Sequence, residues 1–181
     1  VQRIDPTDGT SIADYEQLLQ HLENVYADHI STFGTTAISG QNVLGQLIAF
    51  AQSESAPLAE QIQTLDPDHP KRPTFESIYV ALASIPVNAQ ALAQRAAELL
   101  ERNVTQPIPD WEGAATVIEA ALDRPAQTLY QIAALFDDAL QNDSLPPGLA
   151  DAIASAPQRY TEMADQAADA AEALRDLEPL A

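Results

Sequence analysis

Residues 11–34 have the sequence SIADYEQLLQHLENVYADHISTFG, and this stretch decides the fold class of the chain. Its large apolar side chains recur in steps of three and four residues: Ile12, Tyr15, Leu18, Leu19, Leu22, Val25, Tyr26, Ile30 and Phe33. This spacing predicts an α-helix with one apolar stripe directed at a core. Thr10 or Ser11 is the predicted N-cap, and Gly34 is the predicted C-terminal stop.

The same periodicity recurs along the rest of the chain, in segments separated by prolines and polar loops. Pro is common, with 13 residues, whereas Gly is scarce, with 6, a balance typical of helices joined by stiff connectors. Pro86 and the segment Asp123-Arg124-Pro125 are predicted to interrupt or restart helices, with Asp123 as a cap. The further predicted helices cover 43–65 with a bend at Pro57, 74–85, 87–100, 112–122, 129–140, 149–156 (ending near Pro157) and 160–177.

These segments predict an all-α fold, an antiparallel bundle of about six to eight helices or two stacked helical halves. We expect one helical domain over residues 1–181, with a subdivision at the charged, proline-rich connector 66–73 if there are two halves. Residues 1–9 are predicted to be an extended leader, and residues 104–111 an extended connector that docks on the bundle. The last helix is rich in Ala, so a loosely packed form of it would be a docking element for another chain.

The charge excludes two classes of partner. The formal net charge is −19, from 27 acidic and 8 basic residues, and Lys71 is the single lysine. Nucleic-acid interfaces and anionic membrane surfaces both call for clustered Lys and Arg, so we expect neither partner. The acidity predicts a well-solvated surface, and adaptation to high salt is the alternative explanation. No apolar run approaches the ~18 residues of a membrane-spanning helix, so we expect no direct insertion into a membrane.

Motifs of catalysis are missing from the sequence. It has no Cys, no Ser in a G-x-S-x-G elbow and no glycine-rich phosphate loop. The acidic pairs Asp137-Asp138, Asp165 with Asp169, and Glu98 with Glu101 are of the kind that arises by chance in so acidic a chain. We therefore predict a protein that is not an enzyme, with no catalytic residues and no cofactor.

Two groups of residues are candidate metal ligands. Asp14, His21 and Asp28 are spaced by seven residues, so they share one face of the first helix with a drift of only ~20° per step. The other group, Asp66, Asp68 and His69, lies in the connector 66–73. Neither group has the ligand spacing of a zinc, di-iron or EF-hand site, and we predict no metal site.

The tripeptide Trp111-Glu112-Gly113 lies between two predicted helices. This W-x-G arrangement resembles the turn of WXG100-type secreted helical hairpins, and the resemblance implies a secreted helical protein. It covers three residues. The turn here is long and rich in Pro, and no Tyr is followed four positions later by an acidic residue, as that family's export signal requires. The other interpretation is a single Trp that plugs the end of the bundle, with Asp110 capping the next helix.

The functional expectation follows from these features. The first prediction is a non-catalytic, acidic helical-bundle protein in a structural or protein–protein interaction role, with a protein partner or self-association. The alternative is an extracytoplasmic small-ligand-binding or sensor domain on a helical scaffold, suggested by the missing N-terminal Met and the lack of Cys. A WXG-type secreted protein is the lesser alternative. The compartment stays unknown, with an extracytoplasmic location slightly favoured over a cytoplasmic one.

Overall fold

The computed structural model describes residues 9–101 and 110–177, and these residues form helices and short connections without a strand. The helices are α1 (Gly9–Gln63), α2 (Arg72–Glu101), α3 (Trp111–Leu140), the short α4 (Pro147–Ile153), which follows a 3₁₀ turn at Gln141–Asp143, and α5 (Ala156–Arg175). The predicted all-α fold is confirmed. The predicted leader, apart from Gly9, and the predicted connector up to residue 109 lie outside the described residues.

Neighbouring long helices run antiparallel, up and down in turn. The Nε2 of Gln41 in α1 donates to the carbonyl oxygen of Ala93 near the end of α2, at 3.2 Å. The ring of Phe75 near the start of α2 lies 6.2 Å from that of Phe136 near the end of α3. Since α5 runs back along α3 and also contacts α1, the four long helices close into a four-helix bundle.

The core lies along the axis of this bundle. Its largest fully buried side chains are Tyr160, Phe75, Leu44, Leu47, Ile78, Leu82, Ile118, Leu122, Leu129, Ile132 and Ile153. No polar or charged residue of the described ranges is classed as buried. Apolar burial, at about 1.5–3 kcal/mol for each large side chain, therefore supplies most of the favourable free energy of folding.

The prediction of six to eight helices is wrong, because predicted breaks lie inside continuous helices. Gly34 and the predicted loop 35–40 belong to α1, Pro86 belongs to α2, and Asp123 and Pro125 belong to α3. An interior Pro costs about 3 kcal/mol and an interior Gly about 1 kcal/mol relative to Ala. Each of these helices buries several large apolar side chains in the bundle, and their burial outweighs these costs.

The other predicted helix ends also change. Thr10 and Ser11 lie inside α1, whereas Pro57 lies inside a helix, as in the predicted segment 43–65. Pro157 lies in the first turn of α5, where its missing N–H leaves no helical hydrogen bond unmade, so it begins a helix where we expected one to end. By contrast, Asp110 caps α3 as predicted, accepting the Gly113 N–H at 2.8 Å.

The last helix packs tightly. The buried residues of α5 are Ala156, Tyr160, Met163, Ala164, Ala167, Ala171 and Leu174. Near the other end of the bundle, a Cβ on Gly40 of α1 would lie 2.9 Å from Leu174 and 3.0 Å from Ile118 of α3. The small residues of α5 and Gly40 thus bring the helices close together. We expected α5 to be a docking element only if it packed loosely, and it packs tightly. Across the described ranges, no helix is both long and apolar enough to cross a membrane.

Two tyrosines join α5 to its neighbours. The hydroxyl of Tyr130 in α3 donates to Asp165, and this hydrogen bond, with partial burial and the charges of Asp165 and Asp169, raises the pKa of Tyr130 to about 12. The hydroxyl of Tyr160 donates to Glu54 of α1 at 3.3 Å. Burial, followed by the nearby carboxylate of Glu54, raises the pKa of Tyr160 as well.

The raised pKa of Tyr130 makes stability fall in alkali. The unfolded side chain loses its proton near 10.0, whereas the folded one holds it to about 12. The stabilisation is therefore complete below pH 10 and is lost as the pH rises towards 12. Urea unfolding of wild type, Tyr130→Phe and Asp165→Asn at increasing pH should show a smaller loss of unfolding free energy in both variants. The same pH dependence in all three proteins would contradict this link.

Candidate interaction surface

The N-terminal part of α1 extends past the rest of the bundle. The amide N of Asp110 donates to the carbonyl oxygen of Leu99 at 3.4 Å, and a Cβ on Gly34 would lie 3.4 Å from the indole ring of Trp111. These contacts place the end of α2 and the start of α3 level with Gly34. Residues 14–28, named the arm here, continue the helix outward for about 22 Å at 1.5 Å per residue.

The arm exposes a run of large apolar side chains. Their exposed fractions are 46% for Tyr15, 53% for Leu18, 41% for Leu19, 53% for Leu22 and 39% for Val25. The prediction that this part of the stripe faces the core is therefore wrong. Further along α1, Ile30 is half-buried and Phe33 is buried, so the stripe enters the core there. The side chain of Ile12 lies outside the described ones.

The exposed stripe continues the face of α1 that packs in the bundle. In the bundle, the buried positions of α1 follow steps of four and three: Phe33, Ala37, Gly40, Leu44, Leu47 and Ala51. The same kind of steps counted backwards from Phe33 reach Ile30, then Tyr26 in the arm, and then its exposed residues Leu22, Leu18 and Tyr15. A stripe of this kind normally packs against another helix. Between residues 15 and 25, however, every large apolar side chain of the stripe is more than a third exposed.

The base of the arm is held against the start of α3. The Nε2 of His29 lies 3.1 Å from the Oε1 of Glu112, and the His29 ring lies 4.5 Å from that of Phe33. In the described part of the chain, the hydroxyl of Tyr26 and the Nε1 of Trp111 are buried without a hydrogen-bond partner. Since each such atom costs free energy, apolar contact must hold this junction together.

Carboxylates border the apolar stripe of the arm on both sides. At 100° per residue, Glu16 and Glu23 lie just beyond one edge of the stripe, next to Leu19. Asp14 lies beyond the other edge, together with His21. The whole of α1 contains no Lys or Arg. The surface is therefore an apolar stripe with two acidic edges.

The residues weighed as metal ligands do not assemble into a site. Asp14, His21 and Asp28 are exposed on the polar side of the arm. The Nε2 of His69 lies 2.9 Å from the carbonyl oxygen of Ser144, and its Nδ1 accepts the Lys71 N–H at 3.1 Å. Asp66 and Asp68 are exposed beside it. Among the described residues, no three His, Asp or Glu side chains are grouped so as to hold a metal ion.

The acidic pairs lie on the surface of the bundle, and each is paired or solvated separately. The Oδ2 of Asp138 lies 3.1 Å from the Nζ of Lys71, which ties α3 to the connector 66–73. Asp165 accepts from Tyr130. Glu98 accepts from Gln94 at 3.3 Å, one helical turn away. The remaining members, Asp137, Asp169 and Glu101, are exposed.

A cleft lies between α2 and α3. This cleft has a volume of ≈ 510 Å³. Its polar lining residues are Ser84 and Asn88 from α2, and Glu119, Asp123, Arg124 and Thr128 from α3. Polar groups from two helices thus meet over an apolar floor, an arrangement of the kind that holds small polar molecules.

Other exposed apolar residues are more isolated. Tyr79 and Val80 are exposed on α2 about 100° apart around the helix, Val87 is exposed about two turns further on, and Ile38 is exposed on α1. Single apolar side chains of this kind are normal on a protein surface. Only the arm combines five of them with two acidic edges within the described residues.

Substitutions in the arm and in the core should differ in their effect on the free energy of unfolding. Leu47→Ala removes a fully buried side chain and should lower the unfolding free energy by about 2–5 kcal/mol. Leu22→Ala removes an exposed one and should change it by less than about 0.5 kcal/mol. Chemical denaturation of both variants measures the difference. A cost for Leu22→Ala as large as that for Leu47→Ala would show that the arm is packed in the isolated protein.

Comparison with known proteins gives no relative for this chain. No family model matches the sequence, and no curated protein or solved structure is significantly similar to it.

Proposed function

We propose that this chain is a non-catalytic, acidic helical-bundle protein that acts by binding another protein chain through the arm. The observation that carries the proposal is the exposed stripe of Tyr15, Leu18, Leu19, Leu22 and Val25, which prolongs the core-forming face of α1. Exposing apolar area is unfavourable in water, and a contiguous patch of this kind is typical of an interaction site.

The position of the arm supports this role. The arm is a continuation of a helix whose C-terminal half is packed among α2, α3 and α5, so it is presented in one direction from a stable base. The contact between His29 and Glu112 and the packing of Trp111 on Gly34 strengthen that base. The arm is already helical before it binds. Binding a partner helix therefore costs less conformational entropy than binding through a segment that must first become ordered.

A photo-crosslinking residue placed at Leu22 tests the proposal. In cells that express the protein, illumination should give a discrete crosslinked product with a second polypeptide. The same residue at Val87, an exposed apolar position on α2, is the matched control and should give none. Adding Leu18→Gln should remove the product, because it breaks the apolar stripe without changing charge.

Equal products from positions 22 and 87, or a product from position 22 that survives Leu18→Gln, would contradict the proposal. A product that contains two copies of this chain would still support a protein-binding role for the arm, since self-association is one form of it.

The alternative function is the binding of a small ligand, in an extracytoplasmic or sensor role. The specific observation in its favour is the cleft of ≈ 510 Å³ between α2 and α3, with Asn88 and Arg124 on opposite sides. Its volume is within the range of small-molecule sites. A metabolite that raises the melting temperature of wild type, but not of Asn88→Ala, would favour this alternative.

A further inference from the structure

We propose that the partner of the arm is an amphipathic helix of another protein, with Lys or Arg along both edges of its apolar stripe. This inference rests on the proposed function and adds the chemistry of the partner to it.

The charges at the edges of the arm are the first argument. When two helices pack along apolar stripes, the residues beside each stripe face those of the other helix. On the arm these residues include Glu16 and Glu23 on one edge and Asp14 on the other. Because α1 has no Lys or Arg, the arm itself supplies no cation to an ion pair across this contact, and a partner with Lys or Arg would supply it.

The same charges disfavour a second copy of this chain. In an antiparallel pair of arms, the edge with Glu16 and Glu23 would face its own counterpart, and carboxylates would oppose carboxylates. In a parallel pair it would face the edge with Asp14 and His21. Neither orientation places a Lys or Arg of α1 at the contact, since this helix has none. The net charge of −19 adds a repulsion between whole copies at low salt.

The length of the arm makes charge important for affinity. Its 15 residues (14–28) form about four turns, so the contact with one helix buries less than the roughly 1,600 Å² of a standard stable interface. Apolar burial alone then gives a weak complex. Opposite charges along both edges would strengthen it, select the partner and make the affinity depend on salt.

Acidic edges also argue against lipid and nucleic acid as partners. Amphipathic helices that lie on anionic membranes carry Lys and Arg beside their apolar face, whereas the arm has carboxylates in these places. Phosphate groups are repelled by the same carboxylates. A basic helix is thus the partner that both the stripe and its edges favour.

Two synthetic helical peptides of about three heptads serve as probes. Both have Leu at the positions of the apolar stripe. One has Lys at the edge positions and the other has Glu, so that each peptide repels its own copies equally. Fluorescence anisotropy of labelled peptide measures binding to the full chain, and analytical ultracentrifugation of the chain alone measures self-association.

The Lys-edged peptide should bind, and the Glu-edged peptide should not. The triple variant Asp14→Asn/Glu16→Gln/Glu23→Gln should weaken binding by about 5- to 20-fold, as expected for the loss of several exposed ion pairs. The control Glu60→Gln/Asp137→Asn/Asp151→Asn changes the net charge equally at exposed positions away from the arm, and it should change binding by less than about twofold. Leu18→Gln/Leu22→Gln should abolish binding although it keeps every charge.

Several results would overturn the inference. Equal weakening by the two triple variants would show that only net charge attracts the peptide. Failure of the Lys-edged peptide to bind, or dimers of the chain that need the arm at low salt, would reject a basic helix as the partner. The proposed function would survive these results if position 22 still crosslinks to a polypeptide, and the two proposals are thereby distinguished.

Discussion

Burial of one apolar stripe along α1 is the interaction on which the rest of the structure depends. From Phe33 to Leu58 this stripe packs against α2, α3 and α5, and the buried residues of the described ranges are apolar. Its burial outweighs the cost of Gly34, Gly40 and Pro57 inside a helix. Since the helix is continuous, the position of its exposed end is set by the packed part.

The arm follows from a difference in helix length. α1 has 55 residues, whereas α2 and α3 have 30 each. In the described part of the chain, α2 ends and α3 begins level with Gly34, so the N-terminal part of the stripe lies beyond both helices. The carboxylates beside the exposed part of the stripe favour a partner that has Lys or Arg beside its own apolar stripe. The acidic net charge repels other copies of this chain. A different, basic chain can bind the exposed apolar stripe without that repulsion.

The sequence predicts the helical class and the cap at Asp110, because both depend on local patterns: steps of three and four residues, and a side chain that accepts from a nearby N–H. It does not predict which predicted breaks are real. Gly34, Pro86 and Pro125 have the local signature of helix ends, and packing between helices overrides that signature.

The exposure of the arm is harder still to predict, since Leu22 and Leu47 occupy the same kind of periodic position. Only the lengths of the neighbouring helices decide that Leu47 is covered and Leu22 is not. The carboxylates beside the stripe can be located from the sequence. They indicate the charge of a partner only when the stripe between them is known to be exposed.

The position of the arm depends on the continuity of α1 through residues 34–40, and one distance measures that continuity. The chain has no Cys, so cysteines introduced at the exposed positions Asn24 and Gln52 would carry the only spin labels. One continuous helix between them predicts a separation of about 42 Å by double electron–electron resonance, from 28 residues at 1.5 Å each. A helical hairpin that turns at Gly34–Gly40 would bring the labels to about 20 Å or less, because packed helices lie 8–10 Å apart, and that result would show that the arm does not continue α1.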